Sequence, residues 1–149
     1  MSKKIIGLDL GTKTLGVAIT SSDQKFVLGM ETVRFNPNDY ITAAKRIEQI
    51  LQEEDVEAII IGYPLNMDDR KGPRVEAVEK FKQLMGAFFP LSQIKFVDER
   101  LSTIEAYERL KALGYNKAKQ KELVDTWAAK VILETYLAQR EEKNDGTKN

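Results

Sequence analysis

Near its start the chain reads KIIGLDLGTKTLGVAIT, residues 4–20, and this stretch decides the fold. Lys4 to Leu10 and Leu15 to Thr20 are runs of β-branched residues and leucine, separated by a short segment of glycine, threonine and lysine. Apolar runs bounded by turn residues predict two strands joined by a tight link. A third run, Val27 to Phe35, follows a polar turn cluster. The start of the chain therefore predicts an antiparallel meander of three strands.

Beyond Phe35 the pattern predicts helices that alternate with strands. Two more strands are expected, Glu57 to Gly62 and Gln93 to Val97. The first predicted helix follows an N-cap at Asn36. The other three begin at Pro73, at Ser102 and at about Lys117, and the last one ends near Gln139. This order predicts an α/β domain, a mixed sheet with helices on its faces, over residues 1–139. Residues 140–149 are polar and predict a disordered tail.

The composition excludes several kinds of site. The 149 residues include neither Cys nor His, which rules out disulfides, thiol nucleophiles, histidine bases and cysteine or histidine metal ligands. Chemistry is left to carboxylates, Lys, Arg, hydroxyl groups and metals that prefer oxygen. The 23 basic and 23 acidic residues cancel, so any contact with nucleic acid must be local. The sequence shows no membrane span and no targeting segment, which predicts a cytoplasmic protein without a membrane partner.

Two carboxylates follow predicted strands at places where sites form. Asp9 lies near the end of an apolar strand, where an acid needs a partner or a cation, although it could simply shape the following turn. Glu99 lies beyond a strand end, the usual place for sites in open α/β sheets, although a surface ion pair with Arg100 would also explain it. Ser102 starts a Ser-Thr-Ile-Glu capping box and is expected to be only an N-cap.

A third carboxylate, Asp125, falls on the packed face of the last helix. It lies about 180° from Glu134 and on the same side as Ala128 and Ile132. A buried acid costs several kcal/mol unless it is compensated, and a salt bridge to a core Lys or Arg is the alternative to a metal. If the three acids converge at one sheet edge they repel one another without a cation, and oxygen ligands favour Mg²⁺ or Mn²⁺. Two such ions can clamp the attacking and leaving oxygens of phosphodiester hydrolysis.

Four motifs, in order over residues 4–138, resemble the YqgF family, also called the RuvX family. They are GLDLGTK from Gly7 with GVA from Gly16, GYPLN from Gly62, DERLST from Asp98, and DTWAA from Asp125 with Ile132-Leu133. The resemblance implies an RNase H-like fold with a five-stranded mixed sheet flanked by helices. It also implies a cytoplasmic, metal-dependent nuclease that processes the 5′ end of precursor 16S rRNA. By motif, Asp9, Glu99 and Asp125 are then the catalytic residues and the ligands of Mg²⁺ or Mn²⁺.

Basic residues near these motifs predict phosphate contacts, with a solvated surface as the alternative. They are Lys13 and Arg100 beside the acids, Arg70, Lys71 and Arg74 after the second motif, and Lys117, Lys119 and Lys121 in an acid-free segment. The expected partner is structured nucleic acid, most simply precursor rRNA, bound by a monomer or a homodimer. A Holliday junction resolvase, which needs two active sites, and a non-catalytic assembly factor of the same fold remain open. An actin-like ATPase is disfavoured because the chain is too short for two lobes.

Overall fold

The computed structural model describes residues 3–64, 72–99 and 101–147, with side chains as far as 143. Within these ranges five strands form one mixed sheet in the order β3-β2-β1-β4-β5, which confirms the expected five-stranded mixed sheet. β1 is antiparallel to β2 and parallel to β4, and β4 is parallel to β5. The elements are β1 (Lys4–Leu10), β2 (Thr14–Thr20), β3 (Val27–Arg34), α1 (Tyr40–Glu53), β4 (Val56–Tyr63), α2 (Pro73–Met85), a short 3-10 helix (Leu91–Gln93), β5 (Ile94–Asp98), α3 (Ser102–Ala112) and α4 (Lys117–Thr147).

The predicted N-cap of the first helix at Asn36 is wrong. Asn38 has a φ of 63°, a left-handed conformation that no helix interior adopts, so α1 cannot begin before it. Asp39 caps the helix instead, accepting a hydrogen bond from the backbone N–H of Thr42 at 3.3 Å. The helix starts at Tyr40 because the capping carboxylate belongs to the residue before it, Asp39.

The predicted end of the last helix near Gln139 is also wrong, because α4 continues to Thr147. Arg140 donates a hydrogen bond to the side chain of Gln24 at 2.7 Å and lies 5.9 Å from the centre of the Tyr136 ring. These long-range contacts stabilise the helical turn at Arg140, just beyond the predicted end of the helix. A polar composition does not reveal such tertiary contacts. The division into a domain of residues 1–139 and a tail of residues 140–149 stays a prediction.

The two faces of the sheet are covered by different helices. Ile6, Leu8 and Leu10 of β1 point to the face covered by α1 and α2, where Ile47 and Phe81 complete the larger core. Ile5 belongs to the opposite core, in which α4 covers the sheet. Strand alternation therefore directs Asp9 towards α4. In the ranges that the structure describes, no helix has the length and apolar content needed to cross a membrane.

Glycines on the covered face bring α4 unusually close to the sheet. A Cβ at Gly16 would lie 1.9 Å from the backbone oxygen of Asp125, and one at Gly7 would lie 2.9 Å from Cβ of Leu133. Both contacts are shorter than any real side chain tolerates, so only glycine fits at these positions. These contacts fix the distance of α4 from the sheet and its position along β1 and β2.

Candidate carboxylate site

Asp9 and Glu99 meet at the edge where the parallel strands end. Asp9 is the second-last residue of β1, and Glu99 directly follows β5. The backbone N–H of Glu99 donates to the carbonyl of Tyr63 at the end of β4, at 3.3 Å, which turns the chain back over the sheet edge. Both carboxyl groups are partly buried and hydrogen-bonded to each other. The sheet topology thus joins residues that are distant in the sequence.

Burial raises the pKa of both acids, and the charge of Glu99 adds to the rise at Asp9. Burial, followed by the charge of Glu99, raises the pKa of Asp9 well above its ordinary value. Burial likewise raises the pKa of Glu99, against the lowering effect of its hydrogen bonds. Arg74 acts in the opposite direction on each pKa without cancelling the rise, and its guanidinium donates a hydrogen bond to the Leu10 carbonyl. The pair therefore retains a proton to higher pH than isolated carboxyl groups do.

Ser102 has a role that the capping-box prediction missed. It is the first residue of α3 rather than the N-cap, and Leu101 in the cap position makes no side-chain capping bond. The Ser102 hydroxyl donates to the backbone carbonyl of Glu99 at 2.9 Å and lies 3.3 Å from its Oε2. The prediction that Ser102 is only a cap is wrong, because its hydroxyl faces backwards to Glu99. It holds that carboxylate in place.

Asp125 lies beside the pair, one strand away. Its backbone oxygen packs on Gly16, which is the cross-strand partner of Asp9. The charge of Asp125 contributes to the raised pKa of Asp9. No ion pair of Asp125 is found within residues 3–64, 72–99 and 101–147, so the core salt bridge that would explain this acid without a metal is missing there.

The structure brings two of the three carboxylates together and leaves the third nearby. Asp9 and Glu99 line a cleft of about 490 Å³ with Arg74, whereas Asp125 lines a neighbouring cleft of about 840 Å³. The Gly11–Thr12 turn lines both clefts and separates them. Among the described residues no three acids are close enough to hold one ion. A metal site built from all three carboxylates stays a prediction.

The predicted phosphate-binding residues fall at several places around these clefts. Arg74 lines the carboxylate cleft, and Lys13 and Lys121 line the neighbouring one. Lys117 and Lys119 are exposed at the start of α4, where Lys119 forms an ion pair with Glu122 at 3.4 Å. Arg70, Lys71 and Arg100 lie outside the described residues.

Sequence reasoning missed Arg34, the last residue of β3. It lines the same cleft as Lys13 and Lys121 because β3 pairs with β2 in a register that places it opposite Thr14. The only local signal was a cation at a predicted strand end. Its position beside Asp125 depends on strand pairing, which the sequence does not specify residue by residue.

Almost the whole chain matches a known protein family. A family model described as "RuvX: Holliday junction resolvase" matches residues 3–139. The chain belongs to the RuvX family. A relative from Geobacillus sp. (strain WCH70), named "Putative pre-16S rRNA nuclease", is 40% identical over 90% of this chain and 96% of its own. A relative of the same name from Desulfitobacterium hafniense (strain DSM 10664 / DCB-2) is 36% identical over 97% and 99%.

Solved structures agree with this RuvX assignment at the level of the fold. RuvC of T. thermophilus in complex with a Holliday junction superposes with a TM-score of 0.58 at 17% identity, over 93% of this chain and 96% of RuvC. The Fowlpox virus resolvase in complex with Holliday junction DNA gives a TM-score of 0.53 at 13% identity, over 91% and 97%. The resemblance to the RuvX family and the RNase H-like fold that it implied are both confirmed.

Proposed function

We propose that this RuvX-family chain is a metal-dependent nuclease that hydrolyses phosphodiester bonds of structured nucleic acid in the cytoplasm, with precursor 16S rRNA as its substrate. Relatives at 36–40% identity over nearly the whole chain carry a pre-16S rRNA nuclease name, which supports both the activity and the substrate. The observation that carries the proposal is the contact between Asp9 and Glu99 at the sheet edge, beside a cleft that is open to a substrate strand.

The donor chemistry of this edge fits a hard divalent cation. Asp9 and Glu99 present carboxylate oxygens to each other, and their raised pKa values show that the nearby Arg74 does not neutralise them fully. A cation can replace the retained proton, since metal ligation and protonation compete for the same oxygens. We therefore assign Asp9 and Glu99 as ligands of Mg²⁺ or Mn²⁺, with Asp125 as the third carboxylate of a set that would hold two ions.

Each residue of the proposed site has a separate role in cleavage. Bound Mg²⁺ or Mn²⁺ would supply activation of water and neutralisation of charge on the phosphodiester. Arg74 places positive charge in the same cleft, where it can contact a phosphate oxygen. Ser102 restrains Glu99 so that its carboxylate keeps one orientation. Lys13 and Lys121 attract the strand on the side of Asp125 without reading its sequence.

A Holliday junction resolvase is the second candidate, favoured by the description of the family model that matches the chain. It shares the carboxylate chemistry and differs in substrate and assembly. Two strands of a junction must be cut, so this activity needs a homodimer with two sites, whereas trimming of precursor RNA needs one.

The test is cleavage of precursor 16S RNA and of a four-way DNA junction in Mg²⁺, in Mn²⁺ and in EDTA. We expect RNA cleavage that EDTA abolishes, and loss of cleavage in Asp9→Asn, Glu99→Gln and Asp125→Asn. Asp55→Asn is the matched control, because this exposed acid lies near Lys3, beside the N-terminal ends of β1 and β4.

Thermal melting shows whether each variant is folded. A folded Asp9→Asn variant that cuts at the wild-type rate would contradict the carboxylate mechanism. Cleavage of the junction without cleavage of the RNA would favour the resolvase.

A further inference from the structure

The cleft beside Asp125 combines cations with aromatic rings, and we call it the aromatic cleft. It has a volume of about 840 Å³ and lies between the β1–β2 turn, the end of β3, α3 and the start of α4. Its cations are Lys13, Arg34 and Lys121, and its rings are those of Phe35 and Tyr107. The volume falls in the range of clefts that hold small organic ligands, about 300–1,000 Å³.

The cations of the aromatic cleft are free to bind an anion. Lys13, Arg34 and Lys121 form no ion pair within the part of the chain that the structure describes. Glu122, an acid on the same wall, is paired with Lys119 at 3.4 Å. With Glu122 paired to Lys119, three cations and the Asp125 carboxylate line the cleft, which leaves a net positive charge. A phosphate group complements this charge.

The rings provide an apolar surface in the same place. Tyr107 on α3 is 37% exposed although it is a large aromatic residue. Phe35 is half-buried and fixed by an edge contact with Tyr40, with ring centres 6.1 Å apart. Val124 adds an apolar patch on the wall formed by α4. Aromatic side chains beside cations are the features that bind single-stranded nucleic acid, because every base has a face that can stack.

We propose that the aromatic cleft holds one unpaired nucleotide of the substrate strand, with its base on Tyr107 and Phe35 and its phosphate against the three cations. The inference rests on the proposed function and deepens it, because it names the feature of the substrate that this site selects. Bases inside a duplex are stacked on each other and cannot enter. The protein therefore prefers nucleic acid with an unpaired nucleotide next to the phosphate that reaches Asp9 and Glu99.

Binding in EDTA tests this proposal without any cleavage. The probe is a short single-stranded RNA, compared with the same sequence in a blunt duplex, and binding is followed by fluorescence anisotropy. Tyr107→Ala is expected to weaken single-strand binding by about 5- to 150-fold, the usual effect of losing one stacked base, and to leave duplex binding unchanged. Tyr107→Phe keeps the ring and should bind as the wild type does. Tyr115→Ala, which removes an exposed tyrosine that does not line the cleft, is the matched control.

A second measurement ties the ring to one base. Each base of the RNA is removed in turn to leave an abasic position, in wild type and in Tyr107→Ala. We expect one position of the RNA at which base removal weakens binding by wild type but has no further effect in Tyr107→Ala. The two losses of binding free energy are not additive there, because the ring and the base contact each other. The proposal is wrong if base removal and Tyr107→Ala weaken binding independently at every position of the RNA. It is also wrong if Tyr107→Ala weakens binding of the single strand and of the duplex equally.

Failure of this inference and failure of the proposed function give different results. The binding series needs neither metal nor turnover, so it can fail while EDTA-sensitive cleavage by wild type remains. Conversely, a folded Asp9→Asn variant that still cuts would refute the carboxylate mechanism and leave the coupling between Tyr107 and the base intact.

Discussion

At the residue scale, Asp9 sets the pH dependence of the metal-free protein. Its pKa is raised in the folded state by burial and by Glu99. Between the ordinary aspartate pKa, about 3.9, and the raised value, the folded protein holds more protons than the unfolded chain. The contribution of Asp9 to the free energy of unfolding therefore falls as pH rises through this window. Above its ordinary pKa, the Asp9 carboxyl therefore destabilises the metal-free protein.

The substitution Asp9→Asn removes the titrating group while keeping its shape. In EDTA at neutral pH we expect a melting temperature above that of wild type, by about 2–4 °C for each kcal/mol of repulsion relieved. The fall in stability above pH 4 should also become shallower. Added Mg²⁺ should raise the melting temperature of wild type and leave the variant unchanged, since only the native site binds the ion. Calorimetry over a pH series measures this, and a lower melting temperature for Asp9→Asn in EDTA at neutral pH would contradict it.

The sequence predicts some residues of the site and hides others for physical reasons. Asp9 and Asp125 stand out because an acid on an apolar strand or on a packed helix face violates a local pattern. Ser102 and Arg34 do not stand out. A serine at a helix start and an arginine at a strand end are ordinary locally. Their roles come from a backward hydrogen bond to Glu99 and from the register of β3 on β2, which are tertiary contacts.

At the element scale, the closeness of α4 to the sheet determines where Asp125 lies. Gly16 permits the contact between β2 and the helix backbone, and its place opposite Asp9 links the helix position to the carboxylate pair. The sequence predicts both elements, and periodicity predicts the packed side of α4. The distance between them depends on a glycine that strand patterns treat as an interruption.

Gly16→Ala should therefore be severe. The new Cβ meets a backbone oxygen, which cannot rotate away, so we expect a loss of about 3 kcal/mol in the free energy of unfolding, and a larger loss of cleavage than stability explains. Gly29→Ala is the matched control under the same helix, because its Cβ would meet the side-chain methyl of Thr126 instead. Chemical denaturation measures both variants. Equal losses for the two would show that the backbone contact is not decisive.

At the scale of the whole molecule, the C-terminal part of α4 extends beyond the core. Leu137 packs against the core cluster on the α4 face, whereas Glu141, Glu142 and Lys143 are exposed. The polar sequence of residues 140–149 predicts a disordered tail, whereas the structure continues the helix to Thr147. Helix-forming residues and the contacts of Arg140 are enough to continue it.

Removing residues 141–149 should leave the free energy of unfolding within about 0.5 kcal/mol of wild type, because the exposed side chains of Glu141, Glu142 and Lys143 contribute little. Removing residues 137–149 takes away Leu137 and the contacts of Arg140, and it should cost about 2–4 kcal/mol. Urea denaturation of both truncated chains tests the boundary near residue 139. A large loss from the shorter truncation would move the edge of the domain beyond it.

The position of α4 in the chain has a consequence for synthesis. The helix contacts all five strands and follows every one of them in the chain, so it is synthesised after them. Until it emerges, β1, β2 and β3 can pair, but the glycine-lined face that receives α4 stays open to water. The arrangement that places Asp125 beside Asp9 therefore forms only after α4 has emerged and packed. A nascent chain whose α4 has not emerged therefore lacks the proposed third carboxylate of the site.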